Sequence, residues 1–219
     1  VSNALNMPSV SAEDAPKLKP YMRLADQLGS FAGQITESAI KKVQIEYCGA
    51  VHELNHKPLT AIVLKGLLAP FVETVNMVSA PAVARERNIE VSEVTCEMLE
   101  EFQTLIRVVV TTERQTRSVA GTLFAQNKPR LVEIRGIPID AELGPYMLMI
   151  INEDKPGFIG ALGTALGSEH INIATFHLGR DTPGGDAVAL VEVDQPVPAH
   201  VVDKVKALPH VVRAVPLSF

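Results

Sequence analysis

Residues 146–179 read YMLMIINEDKPGFIGALGTALGSEHINIATFHLG. The apolar run 146–151 is too short for a comfortable helix and is typical of a buried strand. Lys155-Pro156-Gly157 then turns the chain, because proline presets φ and glycine allows close backbone approach. Apolar residues at helical spacing predict a helix over 157–168, and a second strand is predicted over 171–178.

Four glycines punctuate this helix, each costing about 1 kcal/mol of helix propensity relative to alanine. They are Gly157, Gly160, Gly163 and Gly167. Their spacing lines one face, which predicts a small-residue surface that lets the helix lie close to a sheet.

The rest of the chain predicts one more domain and completes this one. Strand 187–193, helix 198–208 and strand 211–217 extend the segment to β-α-β-β-α-β, a ferredoxin-like unit over 145–219. A mixed α/β domain is predicted upstream, over 11–142. Its predicted elements are a helix over 16–35, a strand over 42–48, helices after Pro58 and Pro81, and four later strands. Gly144-Pro145 marks the expected boundary. The fold class is therefore α/β (α+β).

Composition narrows the class of protein. The chain has 219 residues, a net charge of −5 and no Trp. Without a Lys/Arg cluster of nucleic-acid type or an apolar run of about 20 residues, we expect neither nucleic-acid binding nor a membrane span. Cys48 and Cys96 are interpreted as free thiols in a reducing cytoplasm. Because residue 1 is not Met, we expect a cut inside a longer protein, with residues 1–10 as a linker.

The segment His52-Glu53-Leu54-Asn55-His56 matches the H-E-x-x-H pattern of zinc proteases. That chemistry needs both histidines on one face of a continuous helix. Pro58 belongs to the first turn of the next helix and disfavours helical geometry at Lys57. We therefore predict no metal site. We also predict no catalytic residue, because the sequence contains no G-x-S-x-G motif, no P-loop and no G-x-G-x-x-G motif.

Polar side chains gather where strand 146–151 ends, and these suit a zwitterion. Asp154, or the neighbouring Glu153, could accept a hydrogen bond from an ammonium group, while the amides of Asn152 and Asn172 could donate to a carboxylate or hydroxyl. Backbone amides near Gly157, Phe158 and Ile159 would add donors. The alternative is that Asp154 and Asn172 only cap turns. Lys128, Arg130 and Arg135 form a possible anion site, or simply solvated strand-edge cations.

The strand, the D-K-P-G corner and the second strand containing Asn172 resemble the opening of an ACT domain, a small module that commonly binds amino acids. Two further stretches extend the resemblance: NALNMPSVSAEDAPKLKPYMRLADQLGSFAGQI (3–35) and PLTAIVLKGLL (58–68). Together with them, the whole chain resembles the C-terminal regulatory half of long-type D-3-phosphoglycerate dehydrogenases. That half carries an intervening, "allosteric substrate binding" domain before the ACT domain.

This resemblance implies feedback inhibition of the first step of L-serine biosynthesis. L-serine would bind between paired ACT domains of a homodimer or homotetramer, at Asn152, Asp154 and Asn172. The fragment itself would be non-catalytic and carry no cofactor, since NAD belongs to the absent catalytic domain of an oxidoreductase. Two alternatives stay open: the β-chain of an iron–sulfur L-serine dehydratase, and an assembly module without ligand.

Overall fold

A computed structural model describes residues 15–97, 101–125 and 127–219. The predicted linker over 1–10 and the predicted start of the first domain at residue 11 lie outside these residues. The chain divides into two compact units, one ending at Leu131 and the other spanning Val132–Phe219. The predicted boundary near Gly144 lies further along the chain, and the domain limits 11–142 and 145–219 remain predictions.

The first unit is built on a sheet flanked by helices. Its helices are α1 (Ala15–Gln34), α2 (Lys57–Leu68) and α3 (Ala80–Glu86), with short 3-10 helices at Ala50–Glu53 and Ala69–Phe71. Its strands are β1 (Ile40–Gly49), β2 (Glu90–Cys96), β3 (Thr104–Thr112) and β4 (Thr116–Phe124), and β5 (Lys128–Ile134) runs past the limit at Leu131. The sheet order is β2-β1-β3-β4-β5, continued by β6 (Ile137–Ala141). The sequence did not predict β6, whose five residues include a proline at position 138.

Helices α1 and α2 approach each other closely because three glycines lie at their contact. A Cβ atom on Gly66 would meet the backbone N of Ser30 at 2.5 Å, and one on Gly29 would overlap the carbonyl O of Val63. Gly33 is equally confined, at 2.6 Å from the Leu67 carbonyl. Leu24 and Phe31 of α1 are both buried within the chain.

Cys48 and Cys96 form a disulfide, so the prediction of two free thiols is wrong. The two cysteines are paired partners on the neighbouring parallel strands β1 and β2, with their Cα atoms 4.5 Å apart. That separation is within the range a disulfide requires. The spacing of the cysteines along the chain carries no information about this register.

The second unit has the predicted ferredoxin-like order. It runs β7 (Tyr146–Glu153), α4 (Phe158–Ser168), β8 (Ile173–Arg180), β9 (Asp186–Val193), α5 (Ala199–Lys206) and β10 (Val211–Ser218). The sheet order β10-β7-β9-β8 places the first and third strands of this unit at its centre. Buried side chains of both helices pack on one face of that sheet, among them Phe158, Leu162, Leu166, Val201 and Val205.

The glycine face of α4 does not pack against the sheet, so that prediction is also wrong. Cβ atoms built at Gly157, Gly160, Gly163 and Gly167 would meet nothing within 4 Å. The sheet is instead contacted by the larger residues on the opposite side of the helix. The described helices include none with the length and apolar character needed to cross a bilayer.

Candidate functional site

A cleft of about 460 Å³ opens where β7 ends and α4 begins. The predicted side chains Asn152 and Asp154 line it, together with the predicted backbone positions Gly157, Phe158 and Ile159. The remaining lining residues are Lys155, Pro156, Gly160, Leu178 and Arg180. The strand-to-helix corner therefore forms a concave surface that carries both acceptors and donors.

Asn152 contributes a buried acceptor to this cleft. Its side chain is only 2% exposed, and its Nδ2 donates to the Glu153 carbonyl at 2.9 Å. This contact fixes the orientation of the amide, because the opposite orientation would set two oxygens against each other. The Oδ1 atom is buried and accepts no hydrogen bond from the described residues. A buried acceptor without a donor costs free energy, so this position suits a ligand that brings an N–H or O–H group.

Asp154 is held in place by two donors that share one of its oxygens. The Gly184 amide donates to Oδ2 at 3.1 Å, and the Arg180 guanidinium approaches the same atom at 3.2 Å. These contacts, led by the Gly184 amide and followed by Arg180, hold the pKa of Asp154 below its ordinary value. The carboxylate is therefore ionised at neutral pH, and Oδ1 is left for another donor.

Glu153, the other predicted acceptor for an ammonium group, does not line the cleft. Its Oε2 lies 3.1 Å from Nδ1 of His210, in the turn before β10. Successive side chains of a strand point to opposite sides, which separates Glu153 from Asn152. The structure thus distinguishes the two carboxylates that the sequence left as alternatives.

The first turn of α4 supplies free backbone donors. Gly157 precedes the helix with φ of 94°, in the left-handed region that glycine tolerates. The first backbone hydrogen bond that closes the helix runs from Ala161 N to Gly157 O at 2.9 Å. The amides of residues 158–160 therefore have no helical acceptor and lie at the positive end of the helix dipole.

Asn172 lies outside this cleft. It precedes β8, beyond the C-terminal end of α4, and its Nδ2 donates to Asp194 Oδ2 at 2.7 Å. At about 1.5 Å per residue, the 11 residues of α4 put roughly 16 Å between the two ends. A single chain therefore cannot bring Asn172 and Asp154 onto one amino acid.

Sequence reasoning missed Arg180 and Leu178. The strand register contained the signal: Asn152 and Arg180 both pair with Ala187, so they lie in one row across β7, β9 and β8. Counting back from the turn at 182–185 through the β8–β9 hairpin would have found Arg180.

The other predicted sites are placed as follows. His52 belongs to the 3-10 helix Ala50–Glu53, whereas His56 stacks on Tyr47 at 4.3 Å between ring centroids. Leu54 between them is extended, so the two histidines do not share a helix face. Among the described residues, no three His, Cys, Asp or Glu side chains are grouped to hold a metal ion.

The anion site at Lys128, Arg130 and Arg135 remains a prediction. Lys128 and Arg130 lie on β5, and Arg135 lies in the turn that follows it, with φ of 56°. Lys128 and Arg135 are exposed, and Arg130 is half-buried.

The order β-α-β-β-α-β, with a polar cleft at the first strand-to-helix corner, is the arrangement expected of an ACT domain. A family model of the ACT domain matches residues 146–210, and a model of the D-3-phosphoglycerate dehydrogenase intervening domain matches residues 17–135. The chain belongs to the D-3-phosphoglycerate dehydrogenase family and corresponds to its C-terminal regulatory part.

Individual relatives agree with this assignment. D-3-phosphoglycerate dehydrogenase of Methanocaldococcus jannaschii is 33% identical over 95% of this chain and 40% of its own length. The Bacillus subtilis protein of the same name is 34% identical over 97% of this chain and 41% of its own. This chain thus spans about two fifths of these relatives.

A solved structure, the C-terminal domain of the MgtC protein from Mycobacterium tuberculosis, matches at a TM-score of 0.28 and 16% identity. It covers 34% of this chain and 86% of that domain, and it adds nothing to the assignment.

Proposed function

We propose that this chain is the regulatory region of a phosphoglycerate dehydrogenase that binds L-serine at an interface between two ACT domains. The unpartnered Oδ1 of the buried Asn152 carries this proposal, because Asn152 lines the same cleft as the ionised Asp154. Together these oxygens would accept the ammonium group of an amino acid, and the amides of residues 158–160, which have no helical acceptor, add donors on the side of the helix start.

The position of Asn172 supports a site shared between two copies. A two-fold axis beside α4 would set the start of α4 in one copy against the end of α4 in the other. Asn172 of a second copy would then reach the cleft that its own chain cannot reach. The face that would meet the partner is open: Ile159 is 55% exposed and Leu178 is 39% exposed, and the α4 glycines allow close approach.

Serine would act as a feedback inhibitor of the first step of serine biosynthesis. A ligand shared by two chains stabilises whichever relative orientation of the chains binds it better, and it shifts the equilibrium only by that difference in affinity. NAD and the oxidoreductase activity belong to the catalytic part of the whole protein, which we place in the cytoplasm. There the Cys48–Cys96 disulfide meets a reducing thiol pool, so binding should be measured with and without a dithiol.

We expect Asp154→Asn to weaken L-serine binding by roughly 10- to 100-fold, because a charge-assisted hydrogen bond contributes about 1.5–3 kcal/mol. Glu153→Gln is the matched control: it removes a neighbouring carboxylate that faces His210 and should leave affinity unchanged. Isothermal titration calorimetry of the wild type and both variants measures this. Equal affinity in Asp154→Asn and the wild type would contradict the assigned role, and absence of binding to the wild type would favour the assembly module without ligand.

We expect Gly163→Glu to convert a dimer into monomers, because it places like charges across the axis beside α4. The fold should persist, since nothing lies within 4 Å of a Cβ atom at this position. Val212→Glu adds the same side chain at an exposed position of β10, the edge strand opposite β8, and should leave the dimer intact. Analytical ultracentrifugation distinguishes these results; an unchanged dimer in Gly163→Glu would place the interface elsewhere.

A further inference from the structure

Arg180 is the cationic side chain paired with the carboxylate of Asp154 in the cleft. It ends β8, lies in one row with Asn152 across the sheet, and lines the cleft. Its Nη1 lies 3.2 Å from Asp154 Oδ2, and its side chain is 57% exposed. The Gly184 amide donates to the same oxygen, so both contacts hold the Asp154 carboxylate through Oδ2.

This anchoring leaves free groups of both signs next to each other. A guanidinium has five N–H donors, and the contact with Asp154 engages only Nη1. On the carboxylate, both described contacts fall on Oδ2, so Oδ1 can still accept. The pair therefore presents donors beside an acceptor, which is the complement of an ammonium group and a carboxylate carried by one carbon atom.

The other donors in the cleft are less suited to a carboxylate than Arg180. Lys155 is an exposed side chain on the turn, and an ammonium group acts as a point charge without fixed geometry. The amides of residues 158–160 carry only partial charges. A guanidinium binds a carboxylate through two parallel hydrogen bonds, which adds both direction and affinity.

We propose that Arg180 recognises the α-carboxylate of the amino-acid ligand, while Asp154 Oδ1 and Asn152 Oδ1 accept its ammonium group. This inference rests on the proposed amino-acid site and assigns that site a specificity: both charged groups of the ligand are required. An amine without a carboxylate loses the contact with Arg180, and a carboxylic acid without an amine leaves the Asn152 acceptor buried and unpaired.

The test pairs a change in the protein with a change in the ligand. L-serine and L-serinamide, in which a neutral amide replaces the carboxylate, are titrated calorimetrically into the wild type, Arg180→Gln and Arg180→Lys. A pH near 6.5 keeps both ligands protonated at nitrogen. We expect Arg180→Gln to weaken serine binding at least tenfold and to leave serinamide binding unchanged. Arg180→Lys should recover part of the loss. Lys155→Gln, which removes the other cation of the cleft, is the matched control and should change serine affinity less than threefold.

The outcomes separate this inference from the function on which it rests. If the wild type does not bind serine, the proposed amino-acid site itself fails. If the wild type binds serine and Arg180→Gln binds it equally well, only the role of Arg180 fails. Equal losses for serine and serinamide would show that Arg180 merely positions Asp154, which also overturns the inference. If Lys155→Gln lost as much serine affinity as Arg180→Gln, the loss would reflect only the removal of a positive charge from the cleft, and the inference would also be overturned.

Discussion

Replacing Gly66 with alanine should lower the free energy of unfolding of the first unit by about 3 kcal/mol, the upper part of the usual range for overpacking. The added methyl group would lie 2.5 Å from the Ser30 backbone N and 2.8 Å from the Gly29 backbone C. These are main-chain atoms, so no side chain can rotate away and the two helices must separate. Urea denaturation followed by circular dichroism measures the loss.

Gly167→Ala is the control for this result, because it adds the same methyl group to a helix. A Cβ atom at Gly167 meets nothing within 4 Å, so we expect an unchanged or higher stability, by up to about 1 kcal/mol. Surface substitutions typically change the free energy of unfolding by no more than about 0.5 kcal/mol. A change that small in Gly66→Ala would contradict the close contact between α1 and α2.

Opening the disulfide should cost the first unit about 2–4 kcal/mol, the typical contribution of such a bond. The disulfide joins residues separated by 48 positions and ties the edge strand β2 to β1. A dithiol reduces it to two cysteine thiols and is itself oxidised to a cyclic disulfide. We expect urea midpoints of the wild type to fall when the dithiol is added.

The double variant Cys48→Ala, Cys96→Ala provides the control. It should be less stable than the oxidised wild type and should not respond to the dithiol. A wild type with the same unfolding free energy in both conditions, or two titratable thiols in the denatured, unreduced protein, would contradict the bond.

Most of the fold followed from hydrophobic periodicity, which depends on local sequence. The run 146–151 and the helical spacing after Pro156 predicted β7 and α4, and the complete β-α-β-β-α-β order was confirmed. The upstream domain was predicted as mixed α/β, and the short strand β6 and the 3-10 helix Ala50–Glu53 were missed. The buried residues of β6, Ile137, Ile139 and Ala141, alternate with exposed ones, but the exposed position 138 is a proline, which weakens the strand signal.

The wrong or missing predictions concern features that depend on pairs of residues far apart in the sequence. The bond between Cys48 and Cys96 depends on parallel register, which spacing does not reveal. Glycine was expected to bring α4 close to a sheet, whereas the α4 glycines face open space and the glycines at a helix contact are Gly29, Gly33 and Gly66 of α1 and α2. Arg180 was missed for the same reason as the disulfide, because it reaches the cleft only through strand pairing.

The most direct test of the central claim is a crystal structure of the chain with L-serine at saturating concentration. We expect serine in the cleft between β7 and α4, with its ammonium group within hydrogen-bond distance of Asn152 Oδ1 and Asp154 Oδ1. Asn172 of a second copy should contact the same molecule. Serine bound elsewhere, or an empty cleft with α4 far from any second copy, would overturn the proposed site.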